Sequence, residues 1–333
     1  MPANLRRASP RRDQADLGPA VGGHGSGHHG QVELDRSIVD AASRAVVADV
    51  EVIGQTRRGE SGTTFDVRVG GEAAVLKVLA NGPHVVDNQQ RLVRLLDVLR
   101  ERGSPVPEYL GVASTDDAVV TVQRRMAGEV LEPGPGEAID ADLVEAVLPA
   151  LPDAVELQAD AGDLAVAPWP GWLLDTLASG GDGYCLHETM RRRPDTRSLL
   201  DRVVDIGCEF GRGPVRTTDI VHFDLSPANV LHEGGHLTGV VDWNVPFVGA
   251  SQGDRGFDVA TLLFYGYDNT RTRDRLWAHA SAISGTRWVA VYLAHLALRQ
   301  VEWSVRHHPG SFGERRFSEI AMLVLDHCEQ LVP

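Results

Sequence analysis

The stretch that decides the fold is residues 219–244, DIVHFDLSPANVLHEGGHLTGVVDWN, in which two short apolar runs enclose a polar loop. The loop carries His222, Asp224 and Asn229, and the second run ends at Asp242. If the runs pair as a hairpin, the three oxygen-bearing side chains of Asp224, Asn229 and Asp242 converge. A carboxylate and an amide suit Mg²⁺, which takes few protein oxygens beside phosphate oxygens. A second carboxylate can orient a hydroxyl nucleophile, so the block predicts phosphoryl transfer.

Upstream, residues 51–79 predict three strands, the last two joined by the tight-turn dipeptide Gly70-Gly71. The third strand carries Lys77, the only lysine of the chain, whose other cationic residues are arginines. Lysine is a compact point charge on a flexible stem, whereas arginine is a rigid fork. A narrow site between strands and phosphates favours the compact charge, so we interpret Lys77 as a functional residue rather than a solvated edge residue.

The chain has 333 residues, which is enough for two lobes. A Gly- and His-rich tail at 1–31 is expected to be disordered. A small β-rich N-lobe is predicted over 32–125 and a larger, mostly helical C-lobe over 126–333, giving an α+β fold. The net charge of −14 argues against a nucleic-acid or membrane partner and suits a cationic ligand. Three widely spaced cysteines and no apolar leader or membrane-length run indicate a cytoplasmic protein.

The ordered set H-x-D-x-x-x-x-N followed by an apolar run and D-W resembles the aminoglycoside phosphotransferase (antibiotic kinase) family of the protein-kinase-like superfamily. That family carries H-G-D-x-x-x-x-N before an I/V-D-W segment. Trp243 after Asp242 favours this branch, because protein kinases have D-F-G there. The resemblance implies a bilobal fold with an antiparallel sheet in the N-lobe. It also implies an enzyme that uses ATP or GTP and Mg²⁺.

The resemblance also implies a role for each residue of the C-lobe motif. Asp224 would orient and deprotonate the acceptor hydroxyl, and Asn229 and Asp242 would hold Mg²⁺. His222 would tie the loop together. Asp258, in the segment GDRGFDVATLLF, would cap or brace a helix rather than touch substrate.

In the N-lobe, the resemblance implies that a Gly-bearing hairpin covers the nucleotide phosphates and that Lys77 pairs with the α- and β-phosphates. The expected phosphate contacts are the backbone N–H groups of Ser61, Gly62 and Thr63. The strand VTVQRRMAG would be the hinge that hydrogen-bonds the base, through Gln123, Arg124 and Met126.

The sequence departs from the family pattern at three places. The helix acid that usually pairs with the lysine is replaced by Gln89, which would position Lys77 by a neutral hydrogen bond. Phe223 stands where the family has glycine. The interval after Asp242 is a few residues longer than usual, close to the expected substrate cleft.

The expected substrate is a small hydroxylated molecule, most simply a cationic antibiotic phosphorylated for resistance or self-protection. Asp182, Tyr184 and Glu188 are the candidate substrate contacts. A nucleoside, macrolide or peptide antibiotic, or a metabolic sugar or amino alcohol, is an alternative acceptor. The missing helix acid leaves open a pseudokinase that binds nucleotide without catalysis.

Overall fold

The N-terminal part is built on a sheet of five antiparallel strands. The computed structural model describes residues 34–59, 62–131, 145–162, 169–243 and 252–331. The strands lie in the order β1-β2-β3-β5-β4, and their bounds are β1 Val50–Gly59, β2 Gly62–Val69, β3 Glu72–Ala80, β4 Tyr109–Ser114 and β5 Ala118–Arg124. The predicted tail at 1–31 and Ser61 lie outside the described residues.

The two-residue turn predicted at Gly70-Gly71 joins β2 to β3. Both glycines have positive φ, +57° and +91°, which is what a tight hairpin turn of this hand requires. The turn fixes a register in which Lys77 on β3 lies opposite Thr64 on β2 and Thr121 on β5. The lysine therefore stands on a central strand, with sheet on both sides.

Two helices pack on this sheet, α1 Arg36–Val46 and α2 Val85–Glu101. α1 begins at Asp35, whose side chain accepts a hydrogen bond from the Ser37 N–H at 2.8 Å. α2 buries one apolar face at helical spacing, made of Leu92, Leu95, Leu96 and Leu99.

The rest of the chain is mainly helical. The helices are α3 Ala150–Glu156, α4 Trp169–Ser179, α5 His187–Arg191, α6 Pro194–Phe210, α7 Gly256–Tyr265, α8 Thr270–Ser284, α9 Thr286–His307 and α10 Phe312–Gln330. The short strands are β6 Glu129–Val130, β7 Asp219–Ile220, β8 Val230–Glu233, β9 His236–Val240 and β10 Gln252–Gly253. α9 is buried around most of its circumference and packs on α6, α7 and α10, so it is the central helix of this part.

The hairpin that the motif requires is present. β8 pairs antiparallel with β9, and β6 pairs with the other edge of β8. The chain thus leaves the five-stranded sheet after Arg124 and joins the second sheet at Glu129. The antiparallel N-terminal sheet and the mostly helical C-terminal part confirm the predicted fold class, while the lobe boundary near residue 125 stays a prediction.

Candidate active site

The loop between β7 and β8 brings the predicted catalytic residues together. A 3-10 turn over Pro227–Asn229 carries Asn229 back toward Asp224. The Asn229 side-chain Nδ2 donates to the Asp224 carbonyl at 2.8 Å and lies 3.3 Å from the Asp224 Oδ2. The Val241 N–H donates to the Asn229 carbonyl at 2.9 Å, which sets Asp242 beside the same loop.

His222 braces this loop from inside the core. Its Nε2 lies 2.8 Å from the Val241 carbonyl, and its Nδ1 lies 3.2 Å from the Asp224 N–H. A carbonyl only accepts, so Nε2 carries the proton and Nδ1 accepts from Asp224. Burial lowers the pKa of His222, which favours this neutral form.

Asp258 holds the loop rather than the helix it belongs to. Its Oδ2 accepts from the His222 N–H at 2.8 Å and its Oδ1 from the Phe223 N–H at 3.1 Å. The Gln158 Nε2 donates to the same carboxylate at 3.0 Å. The first N–H group of α7, that of Gly256, donates instead to the Asp254 side chain at 2.8 Å. Asp258 therefore does not cap α7; its side chain reaches from the first turn of α7 to the loop, where it has a structural role.

Burial raises the pKa of Asp258 to about 7, against the three N–H donors that lower it. The side chain is fully buried.

Lys77 reaches across to the hairpin. Its Nζ lies 2.5 Å from the Asp242 Oδ1, while the Lys77 side chain is 16% and the Asp242 side chain 47% exposed. Burial alone would lower the pKa of Lys77, but Tyr109 and Asp242 outweigh it, so the pKa is raised. Asp242 takes the place of the acid that the family pattern has at the position of Gln89. Gln89 lies half-buried on α2, and the Lys77 ammonium donates its hydrogen bond to Asp242. The predicted bond between Gln89 and Lys77 is corrected accordingly.

The pairing of β5 within the sheet leaves fewer residues as candidates for the predicted hinge. The Arg124 N–H donates to the Glu108 carbonyl at 2.8 Å, and its side chain pairs with Glu108 at 2.9 Å. Gln123 is buried in β5, paired with Val75 and Tyr109. These backbone groups are engaged within the sheet, so Met126, which follows the strand, is the remaining hinge candidate for the base.

The other predicted nucleotide contacts lie at the start of β2. Gly62 and Thr63 pair with Gly59 and Arg58 of β1, so the β1–β2 hairpin that would cover the phosphates is present up to its tip. Ser61 lies outside the described residues. Gly62 and Thr63 stay predictions as phosphate contacts.

The three candidate substrate contacts fall into two groups. Tyr184 is buried, with its hydroxyl 3.3 Å from the Thr176 hydroxyl and its ring stacked on Trp172, so we reassign it to packing. Asp182 is exposed, and Glu188 is exposed in an i,i+4 pair with Arg192. Both keep their place as predictions.

The residue that the sequence interpretation missed is Arg299 on α9. Its guanidinium lies 3.2 Å from the Asp224 Oδ1 and donates to the Phe223 carbonyl at 2.8 Å. The signal in the sequence is an arginine inside the mainly apolar helical run 289–301, since a buried charge needs a partner.

The donor set fits Mg²⁺. The Asn229 amide nitrogen donates to Asp224, so the side-chain oxygen of Asn229 is the group that could bind a metal. Asp242 adds one partly exposed carboxylate. Two oxygen ligands at the mouth of a site are what Mg²⁺ takes when phosphates and water complete its shell. Among the described residues, no group of three or more His, Cys, Asp or Glu side chains could hold a metal alone.

Comparison with known proteins gives the family. The family model of the phosphotransferase enzyme family matches residues 53–293, a stretch that holds Lys77, the whole catalytic loop and Asp242. The chain belongs to this phosphotransferase family. The match confirms the family and the class of enzyme that the motif predicts.

Relatives of this phosphotransferase include hygromycin-B 4-O-kinase of Escherichia coli, 22% identical over 227 residues, which are 63% of this chain and 61% of the relative. The aligned part thus spans less than two thirds of the relative's length. Among solved structures, a thermostable mutant of aminoglycoside phosphotransferase APH(4)-Ia in ternary complex with ADP and hygromycin B has a TM-score of 0.63 at 17% identity, covering 87% of this chain and 98% of the other.

Spectinomycin phosphotransferase APH(9)-Ia in complex with ADP and spectinomycin has a TM-score of 0.54 at 10% identity, covering 90% of this chain and 100% of the other. At these identities the likeness establishes the fold. No helix in the described part of this phosphotransferase has the length and apolar character to cross a membrane.

Proposed function

We propose that this chain uses Mg²⁺ and ATP or GTP to phosphorylate a hydroxyl of a cationic, aminoglycoside-type antibiotic. One observation carries the proposal: the nucleotide lysine, the metal ligands and the catalytic aspartate form one continuous set of contacts. Lys77 contacts Asp242, the Val241 N–H bonds Asn229, and Asn229 bonds Asp224.

Asp224 has the geometry for a positioning base. Its side chain is 29% exposed, and its Oδ1 is held by Arg299. An acceptor hydroxyl can donate its hydrogen bond to Oδ2 and pass its proton there as its oxygen bonds to the γ-phosphorus. The bond from the γ-phosphorus to the bridging oxygen breaks at the same time, and the nucleoside diphosphate leaves. Positioning and charge neutralisation are most of what this reaction needs from a protein.

Lys77, Asn229 and Asp242 serve the phosphates. With nucleotide bound, Lys77 would turn from Asp242 to the phosphate oxygens, which offer a higher negative charge. Asn229 and Asp242 would hold Mg²⁺, which offsets the charge of the phosphates when bound.

The acceptor class is supported by charge and by likeness. The net charge of −14 favours a cationic acceptor. The E. coli relative bears the name of a hygromycin B kinase, and two structural neighbours hold hygromycin B or spectinomycin with ADP. The alternative acceptors are the other antibiotic classes and a metabolic sugar or amino alcohol, and the experiment below compares them with cationic antibiotics.

A pseudokinase is the second candidate, favoured by the missing acid on α2. Against it stands the ion pair between Lys77 and Asp242, because the lysine keeps an acidic partner at a metal-ligand position. A chain that had lost catalysis would be free to lose Asp224 or Asn229, and it has both.

The test is phosphate transfer from Mg²⁺-ATP and Mg²⁺-GTP to a panel of hygromycin B, spectinomycin, a macrolide, a nucleoside antibiotic and an amino sugar, followed by mass spectrometry. We expect a singly phosphorylated cationic antibiotic. Asp224→Asn should lower kcat by about 10³-fold or more, because the acceptor loses its base. Nucleotide affinity should stay within about 3-fold of wild type, because Asp224 serves the acceptor rather than the phosphates.

Asp201→Asn, an exposed carboxylate on α6, is the matched control and should keep wild-type kcat. Nucleotide binding without transfer to any acceptor would favour the pseudokinase. Wild-type kcat in Asp224→Asn would remove Asp224 from the mechanism.

A further inference from the structure

Arg299 makes a two-pronged contact with the catalytic loop. One guanidinium nitrogen donates to the Phe223 carbonyl at 2.8 Å, and the other lies 3.2 Å from the Asp224 Oδ1. The Arg299 side chain is 17% exposed. Arg299 projects from α9, the central helix of the C-terminal part, so the backbone that carries its side chain is rigid.

We propose that Arg299 is a positioning residue for phosphoryl transfer, which fixes Asp224 Oδ1 and thereby presents Oδ2 to the acceptor hydroxyl. This inference rests on the proposed function. A planar guanidinium that binds two acceptors at once fixes direction as well as distance, which a single charge does not.

The surroundings of Arg299 single out Asp224 as its carboxylate partner. Burial opposes the charge of Arg299, but Asp224, Tyr265, Cys185 and Tyr184 outweigh it, so the pKa of Arg299 is raised. Of these four groups, Asp224 alone is a carboxylic acid. Asp224 is thus the first of the groups that favour the charged form of the buried guanidinium.

The second prong acts on the same residue through the backbone. Phe223 adopts φ +72°, an uncommon conformation for a non-glycine residue directly before Asp224. Asp258 holds the Phe223 N–H and Arg299 holds its carbonyl. The two contacts clamp the peptide groups on both sides of Phe223, so the direction of the Asp224 side chain follows from them.

The same helix offers a matched control, Arg306. Its guanidinium also pairs with a carboxylate, Glu302 at 2.9 Å, and donates to a backbone carbonyl, that of Gly183 at 3.1 Å. Arg306 touches no residue of the catalytic loop in the described contacts. Replacing either arginine by glutamine therefore removes comparable interactions, and only one of them reaches Asp224.

The experiment compares Arg299→Gln, Arg299→Lys and Arg306→Gln with wild type, by steady-state kinetics on the acceptor found in the panel and by crystal structures. We expect kcat to fall about 100-fold in Arg299→Gln, the cost of a misdirected catalytic group. Arg299→Lys should recover about 10-fold of this loss, because it keeps the charge without the fork. KM for nucleotide and acceptor should change less than about 3-fold.

The thermal stability of Arg299→Gln and Arg306→Gln should fall alike, while Arg306→Gln keeps wild-type kcat. In the crystal, Asp224 should occupy one rotamer in wild type and shift or split in Arg299→Gln. An unchanged kcat, or a raised acceptor KM with unchanged kcat, would overturn the positioning role, the latter by making Arg299 an acceptor contact.

If wild type phosphorylates no acceptor in the panel, the proposed function fails. The crystal structures then decide the inference alone: an Asp224 that stays in place in Arg299→Gln overturns it, and a displaced Asp224 supports it.

Discussion

The two sides of the active site are held in different ways. On the C-terminal side, the catalytic loop donates hydrogen bonds to Asp258 of α7 and accepts them from Arg299 of α9 and from its own Asn229. On the N-terminal side, the Lys77 side chain is held, among the residues that the structure describes, by an ion pair to the half-exposed Asp242. The loop is thus held in place by the protein itself, whereas the proposed phosphates and metal would have to replace the contact that holds the lysine.

Removing the brace of the loop should have the largest effect on stability. Asp258→Ala leaves the N–H groups of His222 and Phe223 and the Gln158 amide without their buried acceptor. We expect the free energy of unfolding to fall by about 3 kcal/mol, since each unpaired buried group costs on the order of 1–3 kcal/mol. Urea unfolding measures it.

Asp201→Ala on the exposed face of α6 is the control and should stay within about 0.5 kcal/mol of wild type. A loss below about 1 kcal/mol in Asp258→Ala would mean that the loop is held by other contacts, and the contrast between the two sides would weaken.

The lysine should show the opposite pattern, a loss of activity at little cost in stability. Lys77→Arg keeps the charge but places a broad fork where the compact ammonium lies beside Asp242 and Tyr109. We expect kcat/KM to fall about 100-fold, which corresponds to about 2.7 kcal/mol. The free energy of unfolding should change by less than about 1 kcal/mol, because a partly exposed ion pair contributes little.

The reverse exchange at an exposed position of the same sheet, Arg68→Lys on β2, should keep wild-type kinetics. If Lys77→Arg retains kcat/KM within about 3-fold, a diffuse charge suffices at this position, and the argument from side-chain shape is wrong.

The sequence predicts the loop better than it predicts the partners of the loop. The spacing of His222, Asp224, Asn229 and Asp242 is local, and a hairpin converts it into proximity. Arg299 lies 75 residues beyond Asp224, so only the packing of α9 beneath the loop brings the two together.

The same reason explains the error at Lys77. The sequence alone points to Gln89 on the next helix as the partner of Lys77, because the usual acid lies there. The structure supplies the partner from 165 residues away. The sequence correctly predicts a strand for the hinge residues Gln123 and Arg124. The pairing of that strand with both β3 and β4, which engages its backbone groups, depends on tertiary structure and cannot be read from this local pattern.

A smaller effect, on the pH dependence of stability, is expected at His295, which lies among aromatic side chains. This ring lies on α9 among Trp172, Tyr184 and Phe257, and neither ring nitrogen has a partner among the described residues. Burial lowers the pKa of His295 to about 3. The unfolded chain takes up a proton below about pH 6.5 that the folded chain refuses, so stability is lost as the pH falls from about 6.5 toward 3.

His295→Phe removes this proton-linked loss and fills the same space. Between pH 7.5 and 5.5, wild type should lose about 1 kcal/mol more stability than the variant. Urea midpoints at the two pH values measure the difference. His236→Phe, on the exposed end of β9, should leave the pH dependence as it is in wild type. Equal slopes for wild type and His295→Phe would show that His295 is not the titrating group.

The smallest expected difference is between two variants of Phe223, a position where the family pattern has glycine. Phe223 holds φ +72° while its ring packs on Trp169 at 5.3 Å and Trp172 at 5.6 Å between ring centroids. Glycine adopts positive φ without the steric cost that a Cβ brings, about 1 kcal/mol. At most positions alanine is the more stable of the two, by about 0.5–1 kcal/mol in a helix or strand.

Phe223→Gly should therefore be more stable than Phe223→Ala by about 1 kcal/mol, although both lose the ring packing and fall about 3 kcal/mol or more below wild type. Paired urea unfolding of the two variants measures the order. The reverse order would mean that the loop relaxes to negative φ once the ring is gone, so that the ring imposes the conformation. The expected order would mean that the contacts of Asp258 and Arg299 with the loop impose the positive φ of Phe223. In that sense the catalytic side of the site is preorganised and the lysine side is not.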